Sequence, residues 1–276
     1  PESPIDDLSK LCIHTITTKP WDLETAVEKY SGKGINGISV WRQWLEKHGP
    51  EKSAEILRSG GMDVVSLVRG GFFPGETEQK RQVAIDDNKR AIDEAATIGA
   101  PSIVLVCGAV PGLKLLESRK QITEGIFSIS DYAAAAGVKL SIEPLHPMYA
   151  DSRSAVNTVR QANDICDEIG SPYVGVVVDV YHVWWDPDLE IEIKRCGESG
   201  YLFAFHICDW RTPTMDILND RGLMGEGCID IREIRGWVEG AGFSGYNEVE
   251  IFSDRWWGRN QNEFLDAIVD GYLNYS

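Results

Sequence analysis

The sequence predicts an α/β fold, a (β/α)8 TIM barrel. Short β-branched runs alternate with longer helix-patterned segments from end to end, and the alternation repeats eight times. The 276 residues also fit the usual length of one such barrel, about 250. Parallel strands joined by right-handed helical crossovers produce this rhythm. An open doubly wound sheet is disfavoured, because no Gly-x-Gly-x-x-Gly turn follows the first strand. Residues 1–276 are accordingly read as a single domain.

Strand one is placed at 11–17, and Asp22 opens a helix pattern over 22–30. Strands two and three fall at 37–42 and 64–69. The long pattern 79–98 leads to strand four at 103–108, and 119–136 leads to strand five at 139–143. A helix over 154–169 precedes strand six at 174–180, and strand seven follows at 202–208. The pattern 231–241 precedes strand eight at 246–252, and 261–272 ends the series. Gly99, Gly137, Gly170 and Gly242 each follow a helix pattern and precede a strand, where a helix-stopping glycine belongs.

The 43 acidic residues outnumber the 27 basic ones, for a net charge of −16, so a nucleic-acid partner is not expected. The densest basic stretch is Lys80, Arg81, Lys89 and Arg90. Six cysteines lie apart with no Cys-x-x-Cys pair, which suits reduced core residues better than a disulfide framework. The opening Pro-Glu-Ser-Pro has no apolar leader, and the most apolar run, 174–185, is interrupted by Asp179 and His182. The expectation is a cytoplasmic protein with no membrane partner.

In a barrel, functional groups come from the C-terminal ends of strands and the loops after them. The last four strands each put a candidate metal ligand there: Glu143, Asp179, His206 and Glu250. Two places earlier, on the same strand face, stand the small or medium Ser141, Val177 and Ala204, which suit a layer beneath a site. The fourth such neighbour is Glu248, either a supporting carboxylate or a sign that the strand phase is off by one. A lone acid at a strand end usually caps a helix or pairs with a cation; four candidates on four consecutive strand ends point to a shared ion. Three carboxylates and one imidazole favour one hard divalent ion, Mn²⁺ first, with Mg²⁺ or Co²⁺ as alternatives.

His146 and His182 each follow a candidate ligand by three residues, and His14 on the first strand could reach the same pocket. His146, held between Pro144 and Pro147, suits a general acid or base near neutral pH, or is a loop histidine touching solvent. Among nine tryptophans, Trp41, Trp184, Trp185, Trp210, Trp256 and Trp257 fall at or after strand ends, where a sugar ring or aromatic group could stack. Arg211 could contact a hydroxyl or an anion. Glu226, in Gly225-Glu226-Gly227, belongs either to a loop over the site or to a plain connection.

The segments Leu140-Ser141-Ile142-Glu143-Pro144, Val178-Asp179-Val180-Tyr181-His182, Phe205-His206-Ile207-Cys208-Asp209, Gly225-Glu226-Gly227-Cys228-Ile229-Asp230 and Glu248-Val249-Glu250-Ile251-Phe252 resemble the xylose-isomerase-like barrels of sugar-phosphate isomerases and epimerases, which also include the AP endonuclease family 2 fold. The resemblance covers the second half of the chain; the first half matches in barrel rhythm only. It implies that Glu143, Asp179, His206 and Glu250 bind the metal. Glu143 and Glu250 would also exchange protons with the substrate, and His182, in an Asp-x-x-His pattern, would position it. The substrate-binding set is then His182, His14, Arg211, Trp210 and Glu226, with Glu143, Glu250 and His146 as catalytic residues.

Proton removal beside a polarised carbonyl would give an enediolate, and returning the proton elsewhere isomerises or epimerises a sugar. The stretch from Glu143 to Asp151 also resembles the catalytic subunit of bacterial C-glycoside deglycosidases, lyases that expel an aromatic aglycone from a 3-oxo-glycoside and pair with a small second subunit. The expected partner is therefore a small-molecule sugar or glycoside, in a homo-oligomer or a hetero-oligomer with such a subunit. A non-catalytic sugar-binding barrel is the alternative of another class. The three-zinc nuclease relative is disfavoured by a total of five histidines.

Overall fold

Eight parallel strands close on themselves in the computed structural model, which describes residues 4–276. They are β1 (Leu11–His14), β2 (Gly37–Trp41), β3 (Asp63–Gly71), β4 (Ser102–Val106), β5 (Lys139–Ile142), β6 (Val174–Asp179), β7 (Leu202–Ile207) and β8 (Asn247–Val249). Each pairs in parallel with its chain neighbours, and β1 pairs with both β2 and β8, so the sheet has no free edge. Several strands read as apolar runs because they are covered on both faces: β1, β2 and β6 are buried throughout.

The outer ring consists of α1 (Leu23–Gly32), α2 (Gly49–Ser59), α3 (Glu78–Ile98), α4 (Leu115–Ala136), α5 (Val159–Ile169), α6 (Leu189–Glu198), α7 (Ile231–Gly240) and α8 (Gln261–Tyr275). Side-chain caps set several starts. Asp22, Thr77 and Thr158 accept from the backbone N–H of Thr25, Lys80 and Gln161 at 3.0, 3.2 and 3.2 Å. The Thr158 cap is why the helix expected from 154 begins at Val159. Gly99, Gly137 and Gly170 stop their helices at φ 79°, 71° and 66°, the left-handed turn that other residues resist.

Most strands end earlier than their apolar runs suggest: just beyond them the N–H groups of Thr15, Glu143 and Glu250 still reach a neighbouring strand's carbonyl, while other N–H groups at the strand ends turn to side-chain partners. Ile251 donates its N–H to Thr17 Oγ1 at 3.0 Å, and Trp41 donates its own to Thr15 Oγ1 at 3.0 Å. β3 instead runs on to Gly71, whose N–H and C=O are both held by the Asn88 amide of α3 at 2.7 and 2.8 Å.

Strand alternation divides the core. Ile103, Leu105, Val176, Val178 and Phe205 belong to the large cluster that joins barrel and helices. The intervening Val68, Val104, Val177 and Ala204 pack instead with Ile16 and Trp41. Ser141 joins Ser102 by a hydroxyl contact of 2.6 Å. All six cysteines are free, five of them buried and Cys228 exposed. Among the described residues no helix is long and apolar enough to cross a membrane.

Candidate metal centre

Register brings the four expected ligands together. Asp179 pairs with His206 across β6 and β7, and His206 pairs with Glu248 across β7 and β8. Glu143 and Glu250 stand just beyond β5 and β8. One ligand atom from each of Glu143, Asp179, His206 and Glu250 falls in a group whose members all lie within 4.8 Å of one another, and all four residues are buried. His206 Nδ1 lies 3.1 Å from Glu143 Oε1 and 3.9 Å from Asp179 Oδ2. Yet Glu143 Oε1 and both ring nitrogens of His206 lack an aligned hydrogen-bond partner. Buried polar atoms without partners are costly. A donor set of three carboxylates and one imidazole satisfies itself on a hard divalent cation, so these residues fit one.

Glu248 stands behind the imidazole, which settles the strand phase: Glu248 in β8 and Glu250 just beyond it both point inward. Its Oε2 is 3.5 Å from His206 Nε2 and 2.8 Å from His14 Nε2, and accepts from Ser39 Oγ at 2.7 Å. A carboxylate behind a ligating histidine fixes the ring and raises its basicity. Burial works against charge on His206, but Glu248, Glu143 and Glu250 outweigh it and hold the ring well above its ordinary range. In Glu248, burial is likewise outweighed, by His206 and His14, and the carboxyl is held low. The same contest leaves His14 raised through Glu248 and Glu250. Its Nδ1 faces both the Trp41 indole N–H at 3.2 Å and Glu250 Oε1 at 3.2 Å.

Arg221 is a residue that the sequence reading missed. Its Nη1 donates to Glu250 Oε2 at 2.7 Å and to Asp179 Oδ2 at 3.3 Å, and its Nη2 lies 3.2 Å from His182 Nε2. The guanidinium lies over the Tyr181 ring at 4.4 Å, Tyr181 packs on Trp210 at 4.9 Å, and Trp210 stacks on His146 at 4.9 Å. Burial pushes Asp179 up to about 7, offset in part by Arg221 and reinforced by Glu250 and Glu143. Against the same burial, Arg221 and then His14 hold Glu250 well below the carboxylate range. His182 is neutral: burial, then Arg221, keep it well below its ordinary value, and its Nδ1 accepts the His146 N–H at 3.1 Å.

Glu143, Glu250, His182 and Arg221 open onto a cleft of about 200 Å³ walled by Trp41, Tyr149 and Phe252. That is below the roughly 300–1,000 Å³ of drug-sized sites and suits a monosaccharide.

Arg221 is positioned by a short antiparallel ribbon pairing Asp209–Trp210 with Arg221–Gly222. At its base the Asp209 carboxylate accepts four backbone N–H groups, from Trp210, Gly225, Gly227 and Ile229, at 2.8, 3.1, 2.8 and 3.0 Å. A Cβ on Gly227 would meet Trp210 O at 2.2 Å, which explains that glycine. Asp209→Ala is expected to lose about 3 kcal/mol of stability, since hydrogen bonds to a charged acceptor contribute about 1.5–3 kcal/mol and donors are orphaned. Urea denaturation checks this, and an unchanged midpoint would refute it.

The structure places the remaining expected contacts elsewhere. Glu226 takes the Leu223 N–H at 2.9 Å, the Trp256 indole at 3.2 Å and the Arg255 guanidinium. Arg211 pairs with Asp220. Neither residue lines the cleft, nor do Trp210 and His146, whose rings stack on each other; His146 Nδ1 accepts the Met148 N–H at 3.2 Å. Of the tryptophans expected at the mouth, Trp41 lines it. Trp257 instead donates to the Ile16 and Thr17 carbonyls at 3.0 and 3.1 Å. Two arginines not singled out from sequence, Arg69 and Arg153, also line the cleft. An arginine ending the apolar run of strand three was the available signal for the first.

Residues 27–268 match the family described as the xylose isomerase-like TIM barrel. The chain is 26% identical to the inosose isomerase of Bacillus velezensis over 282 aligned positions, spanning 96% of this chain and 98% of that protein. Among solved structures, protein SMc04130 from Sinorhizobium meliloti 1021 superposes with a TM-score of 0.95 at 46% identity, covering 98% of this chain and 99% of that one. The IOLI protein, in a crystal structure with a binding zinc atom, superposes with a TM-score of 0.84 at 24% identity, covering 97% of this chain and 99% of that one.

Proposed function

Since this chain belongs to the xylose isomerase-like TIM-barrel family, we propose that it is a divalent-metal-dependent isomerase or epimerase of a keto sugar or cyclic polyol ketone. The observation that carries the reading is the pair Glu143 and Glu250, buried at the floor of a monosaccharide-sized cleft within one ligand group with Asp179 and His206. The zinc atom in the IOLI protein and the inosose isomerase relative support the same direction. Mn²⁺, Mg²⁺ and Co²⁺ suit the oxygen-rich donor set as well as Zn²⁺ does.

The ligand group of Glu143, Asp179, His206 and Glu250 would hold the ion, which when bound would polarise a substrate carbonyl and acidify the adjacent C–H. Glu143 and Glu250 then serve as the proton acceptor and donor. Arg221 and His14 keep Glu250 ionised, the form that can take up a proton, at the cost of basicity. Neutral His182 and the Arg221 guanidinium face the substrate hydroxyls. Glu248 keeps the His206 ring turned with Nδ1 toward the ligand group.

The arrangement favours proton transfer over expulsion of an aromatic aglycone. His146, the candidate acid for that lyase chemistry, is engaged with Trp210 and Met148, and about 200 Å³ leaves little room for a sugar and an aromatic group together.

The test is proton NMR in D₂O of the metal-loaded protein with inososes, D-fructose and other free ketoses, repeated after EDTA treatment and metal restoration. Deuterium uptake at a carbon next to the carbonyl, lost with EDTA and regained with metal, is the expected result. Uptake insensitive to EDTA would refute the metal requirement. Aglycone release from a 3-oxo-glycoside without exchange in any ketose would replace the isomerase with the lyase.

A further inference from the structure

Most arginines of this acidic chain are matched to a partner; two in the cleft are not. Four arginines form neither an ion pair nor a side-chain hydrogen bond with the described residues: Arg58, Arg69, Arg153 and Arg259. Arg58 and Arg259 are exposed and solvated, whereas Arg69 and Arg153 are half-buried and line the cleft over Glu143 and Glu250. Their side-chain contacts are aromatic: Arg69 lies 4.4 Å from the Phe72 ring centre and Arg153 5.9 Å from that of Tyr149. Glu143 and Glu250 line the same cleft but form no ion pair with either arginine, and Asp87 and Glu94 of the adjoining groove are already paired. In the groove that adjoins the cleft at Arg69 and Gln43, Arg42 binds Asp87 at 2.9 Å and Glu94 at 2.7 Å.

We propose that Arg69 and Arg153 form an anion subsite, so that the sugar taken by this cleft carries a carboxylate or a phosphate. This rests on the isomerase reading of the same site and adds the substrate class to it. In a chain with 43 acidic side chains, leaving two guanidiniums in one cleft without an ion pair is a poor use of charge unless an anion arrives with the ligand. Burial, and then the like charge of Arg153, works against the charge on Arg69, a strain that a bound anion relieves. The guanidinium fork matches carboxylate and phosphate oxygens, and the aromatic faces of Phe72 and Tyr149 hold the forks in place. Glu143 and Glu250 would repel an anion placed at the proton-transfer end. The charged group therefore belongs at the end of the sugar remote from its carbonyl.

The probes are D-fructose, D-fructuronate and D-fructose 6-phosphate, which share one ketose end and differ at C6. Binding to the metal-loaded protein is measured by calorimetry at low and high NaCl. At least one anion is expected to bind roughly tenfold or more tightly than fructose at low salt, with the preference shrinking as salt rises. Which anion wins separates carboxylate from phosphate. Arg69→Gln and Arg153→Gln should each narrow the gap between that anion and fructose. If one variant fails to fold, the other and the salt series still decide. Neither anion binding better than fructose overturns the subsite, as does a preference that survives both substitutions. Deuterium exchange on the same samples reads the isomerase separately: anion preference without exchange in any sugar supports the subsite and counts against the isomerase.

Discussion

Glu143→Gln and Glu250→Gln are each expected to lower turnover by roughly 10²–10⁴-fold, the usual contribution of a positioned proton-transfer group. Both substitutions keep the shape of the side chain and remove its charge and basicity. The barrel should survive Glu143→Gln, because the four carboxylates Glu143, Asp179, Glu248 and Glu250 crowd around two histidines and one arginine and Glu143 makes no pair with Arg221; Glu250→Gln instead breaks the buried pair with Arg221. The metal-free Glu143→Gln protein should therefore melt no lower than the parent, whereas the Glu250→Gln protein should melt lower and still fold. Thermal melts and exchange rates in D₂O, taken on the same samples, check both halves. Full activity in both variants would sink the assignment of these acids, and a collapsed melt would mean that they serve the fold.

Arg221→Met should have the opposite profile to Glu143→Gln. Its guanidinium is buried between Glu250, Asp179 and His182, and breaking a buried pair by removing one partner costs about 3–5 kcal/mol. Methionine keeps some packing on Tyr181 and Phe252 but leaves the carboxylates without that cation. The metal-free variant is thus expected to lose stability of that order, read by urea denaturation. A divalent ion should then stabilise the variant by more than it stabilises the parent, because the ion no longer competes with Arg221 for Glu250 and Asp179. Saturation at a hundred times Kd alone adds about 2.7 kcal/mol. Equal metal-induced gains in the two proteins would show that Arg221 does not bear on the ligand group.

The barrel and the clustering of the four candidate ligands were legible because both follow from strand phase. Apolar alternation locates a strand, the barrel rule locates its functional end, and Glu143, Asp179, His206 and Glu250 follow. Glu248 looked anomalous only because a strand read singly does not show what stands beside it; the register with β7 puts it behind His206. Arg221 was not legible for a different reason. It lies in a two-residue ribbon after an irregular loop, and the ribbon is held by the Asp209 carboxylate rather than by any periodic pattern. Arg211, ten residues earlier and next to Trp210, carried the more obvious signal and pairs with Asp220. His146 and Trp210 fall in the right loops but turn toward each other, a choice of rotamer and packing that spacing does not encode. Arg69 and Arg153 stand out only once the partners of the other arginines away from the exposed surface have been assigned.

The bond between His14 and Glu248 joins positions 234 apart in the chain, across the seam where β1 meets β8. Contacts that distant form late, after the intervening loops have paid their closure entropy. β5, β6 and β7 can gather Glu143, Asp179 and His206 while the sheet is still open. The carboxylate that steadies His206, the fourth candidate ligand and the histidine behind them arrive only when the last strand docks on the first. Tight metal capture is therefore expected to coincide with ring closure, so that binding kinetics during refolding would time the final step of assembly.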